Sequence, residues 1–173
     1  MLKKCIGLIL LCLMVSCPAL ADEAADPVDF AGRVTLNLHA NTVKQEVTVK
    51  TYVDGDTTHF LVPESVMEGG VLKARYLAIN TPESTGKIEE YGKKAAAFTR
   101  EKLSQAESII VESDTANWDA DSTGGRYLVW IWYKPTADAE YRNLNIELLQ
   151  NGLGGSSKAS DSMYGETAVA AIA

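Results

Sequence analysis

Cysteine is absent from all but the start of this chain: Cys5, Cys12 and Cys17 are its three cysteines, and all lie within the first 21 of 173 residues. Beyond residue 21 no disulfide can staple the fold, and zinc ribbons and cysteine nucleophiles are excluded by the same count. Histidine is nearly as scarce, and His39 and His59 lack any metal-type spacing. After the first 21 residues no apolar run approaches the roughly 20 residues a bilayer span requires. Positive charge is also in deficit, with 16 Lys and Arg against 23 Asp and Glu. A polyanion therefore gains little from the long-range field, and any nucleic-acid binding must be local.

What the start does contain reads as an export signal over residues 1–21. Lys3 and Lys4 precede the apolar stretch Ile6 to Val15, and Ala19-Leu20-Ala21 offers a small-x-small cleavage site. A rival reading takes Cys17 as a lipidated residue, although Met14 fits that pattern poorly. Cleavage after Ala21 predicts a secreted protein without cysteine. About 150 residues then remain, enough for one domain with its own core.

Charge is uneven along that remainder. Residues 22–72 and 103–173 each carry a balance of −6, whereas residues 73–102 carry +3. Residues 22–44 read as a leader, with Val34, Leu36 and Leu38 alternating as a short edge strand. A domain is expected over 45–173. Glu46 to Val53 predicts a strand with Val47, Val49, Thr51 and Val53 on one face, ended by the Asp54-Gly55-Asp56 turn. Thr57–Val62 and Val71–Ile79 follow as strands, the latter stopped by Pro82 shortly beyond. Ile88, Tyr91, Ala95, Phe98 and Ala106 fall at helical spacing, with Glu89–Lys93 and Glu90–Lys94 as ion pairs. Ser108–Glu112 and the doubly apolar Tyr127–Tyr133 are two more strands, the second central. Tyr141–Asn151 predicts a helix capped by Gly152, and Glu166–Ala173 begins another. Mainly β with packed helices, this order suits a five-stranded antiparallel barrel of the OB type.

The residues that carry chemistry sit at the joints of these elements. Asp54, Asp56, Asn80, Thr81 and Glu83 supply oxygen, the donor that hard divalent cations prefer. Arg75 and Arg126 supply planar guanidiniums, which meet phosphoryl oxygens with paired donors. Bland readings exist for several of them. Asp54 and Asp56 are also what a hairpin turn uses, Arg75 could be a buried partner for Glu83, and Arg126 could be a solvated strand end. Trp130 and Trp132 read as core, and Lys93-Lys94 as a solvated helix face.

In order and spacing, Tyr52-Val-Asp-Gly-Asp-Thr57, Arg75-Tyr-Leu-Ala-Ile-Asn-Thr-Pro-Glu83, Tyr91-Gly-Lys-Lys-Ala-Ala-Ala-Phe98 and Gly125-Arg126 resemble the staphylococcal nuclease family. The resemblance implies an OB-fold phosphodiesterase that needs Ca2+, cuts DNA and RNA, and leaves 3′-phosphates. It implies Asp56 as a calcium carboxylate, Thr81 as a ligand through its backbone carbonyl, and Asp54 as an acidic neighbour. Arg75 and Arg126 would grip phosphate, and Glu83 would activate water. Asn80 stands where the family usually places a second calcium aspartate, which predicts weaker cation binding. The loop from Gly154 to Ser162 lacks the tyrosines the family places around a nucleotide, and the last helix is short, as in a C-terminal truncation. These departures leave open an OB-fold module that binds nucleic acid without cutting it. No obligate protein partner is indicated, and a monomer is expected.

Overall fold

The computed structural model describes residues 28–86, 89–157 and 161–172; the signal and lipidation readings fall outside them. β1 (Lys44–Glu46) and β2 (Thr48–Tyr52) are two halves of one run, joined through buried Val47. The Val47 N–H donates to the Ile109 carbonyl at 2.9 Å, so the run bends there from one partner strand toward another. β3 (Thr57–Leu61) returns antiparallel to β2, and β4 (Val71–Tyr76) antiparallel to β3. After β5 (Ile79–Asn80) and α1 (Gly92–Ser104), β6 (Ser108–Glu112) pairs with β1 and with β7 (Tyr127–Lys134). β7 then lies parallel to β4. The ladder path β1-β6-β7-β4-β3-β2 therefore starts and finishes in one stretch of chain. Taken as one bent strand, that stretch completes a five-stranded OB-type sheet that curls back on itself.

Several expectations require correction. Residues 34–38 form no strand: Val34 and Leu36 pack against the core, but Leu38 is exposed and no neighbouring strand offers a ladder. The predicted Glu46–Val53 strand is split at Val47, and its register shifts between Val49 and Thr51, leaving Thr51 exposed. Its four residues consequently do not share one face. The barrel is not wholly antiparallel, because β4 and β7 run together. The long helix starts at Gly92 rather than Ile88, which lies outside the described residues. Tyr91 adopts φ 66° and points outward, and its buried stripe is Gly92, Ala95, Thr99 and Leu103. Neither predicted ion pair forms; Lys94 instead lies over the Tyr91 ring, 4.4 Å from its centroid.

Behind the sheet, β8 (Arg142–Asn143) leads into α2 (Leu144–Gln150), three residues later than the sequence suggests. The Asn143 side chain accepts from the Ile146 N–H at 3.1 Å, which caps the helix. Buried Asn145 then clips α2 to the sheet. Its amide donates to the carbonyls of Leu77 and Val129 and accepts from the Ile131 N–H, all within 3.0 Å. Trp130, Trp132, Phe60, Leu72, Ile131 and Leu148 fill the core, so the tryptophans are packing residues. Each such aliphatic side chain contributes about 1.5–3 kcal/mol by leaving water. β9 (Gly155–Ser156) pairs with β5. α3 (Gly165–Ala170) follows Tyr164, whose ring stands edge-on to both indoles at 5.2 Å. Fully buried Glu112 accepts from Trp132, Thr42 and Tyr164 and pairs with Lys44, so its charge is met on every side.

Candidate active site

One face of α1 is made of small residues, and that face carries the two loops of the site. A Cβ at Gly92 would lie 2.1 Å from the Glu83 carbonyl oxygen, so only glycine lets this backbone approach. One turn on, Ala95 lies under Gly55, where an added Cβ would come within 2.7 Å of it. Thr99 completes the row by donating to the Gly55 carbonyl at 2.5 Å. The Asp54–Thr57 turn and the Glu83 segment thus rest on adjacent turns of one helix.

The chain reaches that position by a break in β4. Ala78 takes φ 65°, which ends the predicted Val71–Ile79 strand at Tyr76 and throws Ile79–Asn80 onto β9 instead. Asn80 and Thr81 consequently come over the Asp turn. Asp56, buried, accepts from the Thr81 N–H at 2.7 Å and from the Thr57 hydroxyl at 3.2 Å. It forms an ion pair with Arg75, and the second arm of that guanidinium donates to the Asn80 Oδ1 at 2.6 Å. Register explains the meeting, since Thr57 of β3 lies directly opposite Arg75 of β4. Arg75 is therefore not the partner of Glu83 that its apolar strand suggested as one option.

Asp54 holds the other side. Its carboxylate accepts from the Gly55 N–H at 2.8 Å and the Ser84 N–H at 3.3 Å. The Glu83 carboxyl is exposed and hydrogen-bonds Asp54; that bond, with some burial and the charges of Asp54 and Glu89, raises its pKa above the ordinary glutamate value. Glu89 braces the segment, its carboxylate accepting from the Glu83 N–H at 3.1 Å while its own N–H donates to the Glu83 carbonyl at 2.8 Å. Burial lowers the Arg75 pKa, and the nearby Arg126 charge lowers it further, against Glu83, Asp54 and Asp121. The two guanidiniums are close enough to feel each other.

Arg126 enters from the start of β7. Its Nε and Nη2 both reach Asp121 Oδ2 at 2.7 Å, so it is a positioned arm rather than a loose strand end. Sequence reasoning missed Asp121, whose side chain is only 6 % exposed. Burial raises its pKa, but hydrogen bonds from Thr123 and Arg126 outweigh this and hold it down to about 2. An acid five residues before an arginine, across a Gly-Gly turn, was the available signal.

Asp54, Asp56, Arg75, Asn80, Glu83 and Arg126 all line one polar cleft of about 370 Å3, together with Val53, Thr57 and Thr85. Of the seven residues singled out from sequence, only Thr81 is not in that lining. It lies just behind, with its N–H on Asp56 and its buried hydroxyl without a hydrogen-bond partner among the described residues. His39 is exposed, and neither histidine lines the cleft. No helix among the described residues is long and apolar enough to cross a membrane. Arg75, the segment bearing Glu83 and the platform helix lie together in one stretch of the chain. Residues 73–169, more than half of the chain, match the family described as Staphylococcal nuclease homologue. The Asp turn precedes that span and is joined to it by the β3–β4 ladder, and the chain belongs to this family.

Proposed function

We propose that the cleft hydrolyses phosphodiester bonds of DNA and RNA with Ca2+ as cofactor, in a protein exported after cleavage at Ala21. The observation that carries this reading is the convergence of two arginines, a raised-pKa glutamate and an oxygen-only donor set on one 370 Å3 cleft. In the reaction, water's oxygen forms a bond to phosphorus as the bond to the 5′-oxygen breaks. Arg75 and Arg126 face the non-bridging oxygens, where charge grows. Preorganised donors of this kind contribute ~3–4 kcal/mol each. Glu83, ionised, takes the water's proton, a role worth roughly 10²–10⁴-fold. The leaving 5′-oxygen takes a proton from solvent, and a 3′-phosphate remains. Asp121 keeps Arg126 extended into the cleft.

The donor set suits a hard cation. Asp56 and Asn80 already converge on one positive group, the Arg75 guanidinium, and every donor nearby is oxygen. No three Asp, Glu, His or Cys side chains among the described residues gather as a cage. Asp56, Asn80 and the Thr81 carbonyl would hold the ion, with Asp54 adding negative charge alongside. Bound there, calcium supplies Lewis-acid neutralisation of phosphoryl charge. With a single charged ligand among the three, its affinity is expected to be low.

Plasmid DNA incubated at alkaline pH with the protein from Asp22 onward tests the reading. Cleavage should need calcium, stop with chelator, and fall by two or more orders of magnitude in Glu83→Gln, Arg75→Ala and Arg126→Ala. DNA left intact at millimolar calcium overturns the enzymatic reading. A gel shift without cleavage would favour the binding module, for which the uncharged Asn80 speaks. Fractionation of expressing cells tests export.

A further inference from the structure

Outside the cleft, the outward face of β4 carries positive charge against the acid excess. Along β4, Val71, Lys73 and Arg75 alternate outward while Leu72, Ala74 and Tyr76 are buried, so Lys73 shares the face of Arg75. Lys73 lies directly opposite His59 of β3, and His59 in turn opposite exposed Thr51 of β2. Lys50 sits where the β2–β3 register shifts, and both Lys50 and Lys73 act on His59 electrostatically. Burial first, then those two positive charges, lower the His59 pKa, so the imidazole is uncharged at neutral pH and the lysines supply the charge. Neither lysine pairs with a carboxylate among the described residues. The next row toward the cleft is Thr57 opposite Arg75, both of which line it.

Two exposed lysines without a carboxylate partner, both felt by one imidazole, leave local positive charge open to an anion. Lys73 and Arg75 are two residues apart on one strand, ~7 Å. That is close to the separation of neighbouring phosphates along an extended single strand. We propose that the outward face of β2–β4, through Lys73 and Lys50, is a phosphate track that receives the strand next to the bond held in the cleft. This rests on the nucleic-acid reading of the cleft, although binding on the track is separable from cutting. The His59 imidazole and the Thr51 hydroxyl offer uncharged hydrogen-bonding groups between the two lysines.

The test uses a fluorescent 20-nucleotide single-stranded DNA in chelator, where binding is read without cleavage. Each lysine–phosphate contact on a single strand adds ~0.7 to the slope of log affinity against log salt. Lys50→Ala with Lys73→Ala should therefore lower that slope by about 1.4, cutting the affinity loss between 50 and 200 mM salt roughly sevenfold. Lys93→Ala, on the exposed face of α1, should leave the slope as it is. With calcium, the double variant should raise KM for the 20-mer several-fold more than KM for a dinucleotide. An unchanged salt slope, or equal losses on the two substrates, overturns the track. Salt-dependent binding that follows the lysines while the wild-type protein cuts nothing would sustain the track and sink the catalytic reading instead.

Discussion

Gly92 lies at the start of a helix and lines no part of the cleft, yet under the proposed chemistry its geometry should be decisive. A methyl group built there meets the Glu83 carbonyl oxygen at 2.1 Å, its carbonyl carbon at 2.6 Å and the Pro82 carbonyl oxygen at 2.9 Å. These are backbone atoms, so no side chain can rotate away. Real contacts of this kind stay beyond 3.0 Å, so the Glu83 segment must retreat by about 1 Å. A 1 Å misplacement of a reacting group costs on the order of 10²-fold in rate, or ~2.7 kcal/mol at 1.36 kcal/mol per decade. Helix propensity pushes the other way, because alanine is favoured over glycine by ~1 kcal/mol. Gly92→Ala should thus lose about a hundredfold in kcat on DNA while Tm changes by only a few degrees in either direction. Steady-state cleavage and calorimetry on the same preparation give both numbers, with Lys93→Ala as the neighbouring control. Near-wild-type kcat in Gly92→Ala would refute the idea that α1 sets the position of Glu83.

Three further outcomes follow from the cleft. Under the proposed reaction Glu83 must be ionised to accept a proton, and Asp54 opposes that ionisation, so the acid limb of kcat/KM should lie above an ordinary glutamate's. Asp54→Asn keeps an acceptor for the Gly55 and Ser84 N–H groups but removes the charge, so the limb should move to lower pH; a stationary limb would exclude Asp54 as the cause. Asp121 has a folded pKa of about 2 against ~3.9 unfolded. Its stabilisation is complete above the unfolded value and fades as pH falls through the folded one, so the Tm deficit of Asp121→Asn should close toward pH 2. Asn80→Asp adds a full charge beside the cation's other oxygens, worth ~1 kcal/mol or more at 4 Å even in water. Calorimetry should show calcium binding roughly tenfold tighter, and weaker binding would mean that Arg75 captures the new carboxylate instead.

Most strands are legible because their alternation is strong, and Tyr127–Tyr133 reads as central because both of its faces are apolar. Misplaced boundaries share one cause: the sequence pattern continues where a tertiary contact ends the element. Val71–Ile79 reads as one apolar run, yet Ala78 adopts a left-handed backbone that no local propensity announces. Three contacts hold that turn: the Leu77 carbonyl accepts from Asn145, the Leu77 N–H donates to Val129, and the Ala78 carbonyl accepts from Ser157. Tyr91 fits the helical period but lies before the first turn, because Gly92 must face Glu83.

The site shows the same division. Asp56, Arg75, Asn80, Glu83 and Arg126 were visible as chemistry, since acids, an amide and guanidiniums beside turns have few other uses together. Their partners were not, because pairing depends on the register of β3 against β4 and on the break at Ala78. Arg75 carries the point furthest. Read along the chain, the next acid after it is Glu83, eight residues on. Across the ladder, Thr57 lies opposite Arg75, which brings the adjacent Asp56 within reach, and the turn at Ala78 brings Asn80 to the other arm. The guanidinium is thereby fixed by two contacts from opposite sides before any phosphate arrives. Under the proposed chemistry calcium would take the Asp56 and Asn80 oxygens and leave the guanidinium to phosphate, so a backbone break that looks like a flaw in a strand is what brings Arg75 and these oxygens to one point.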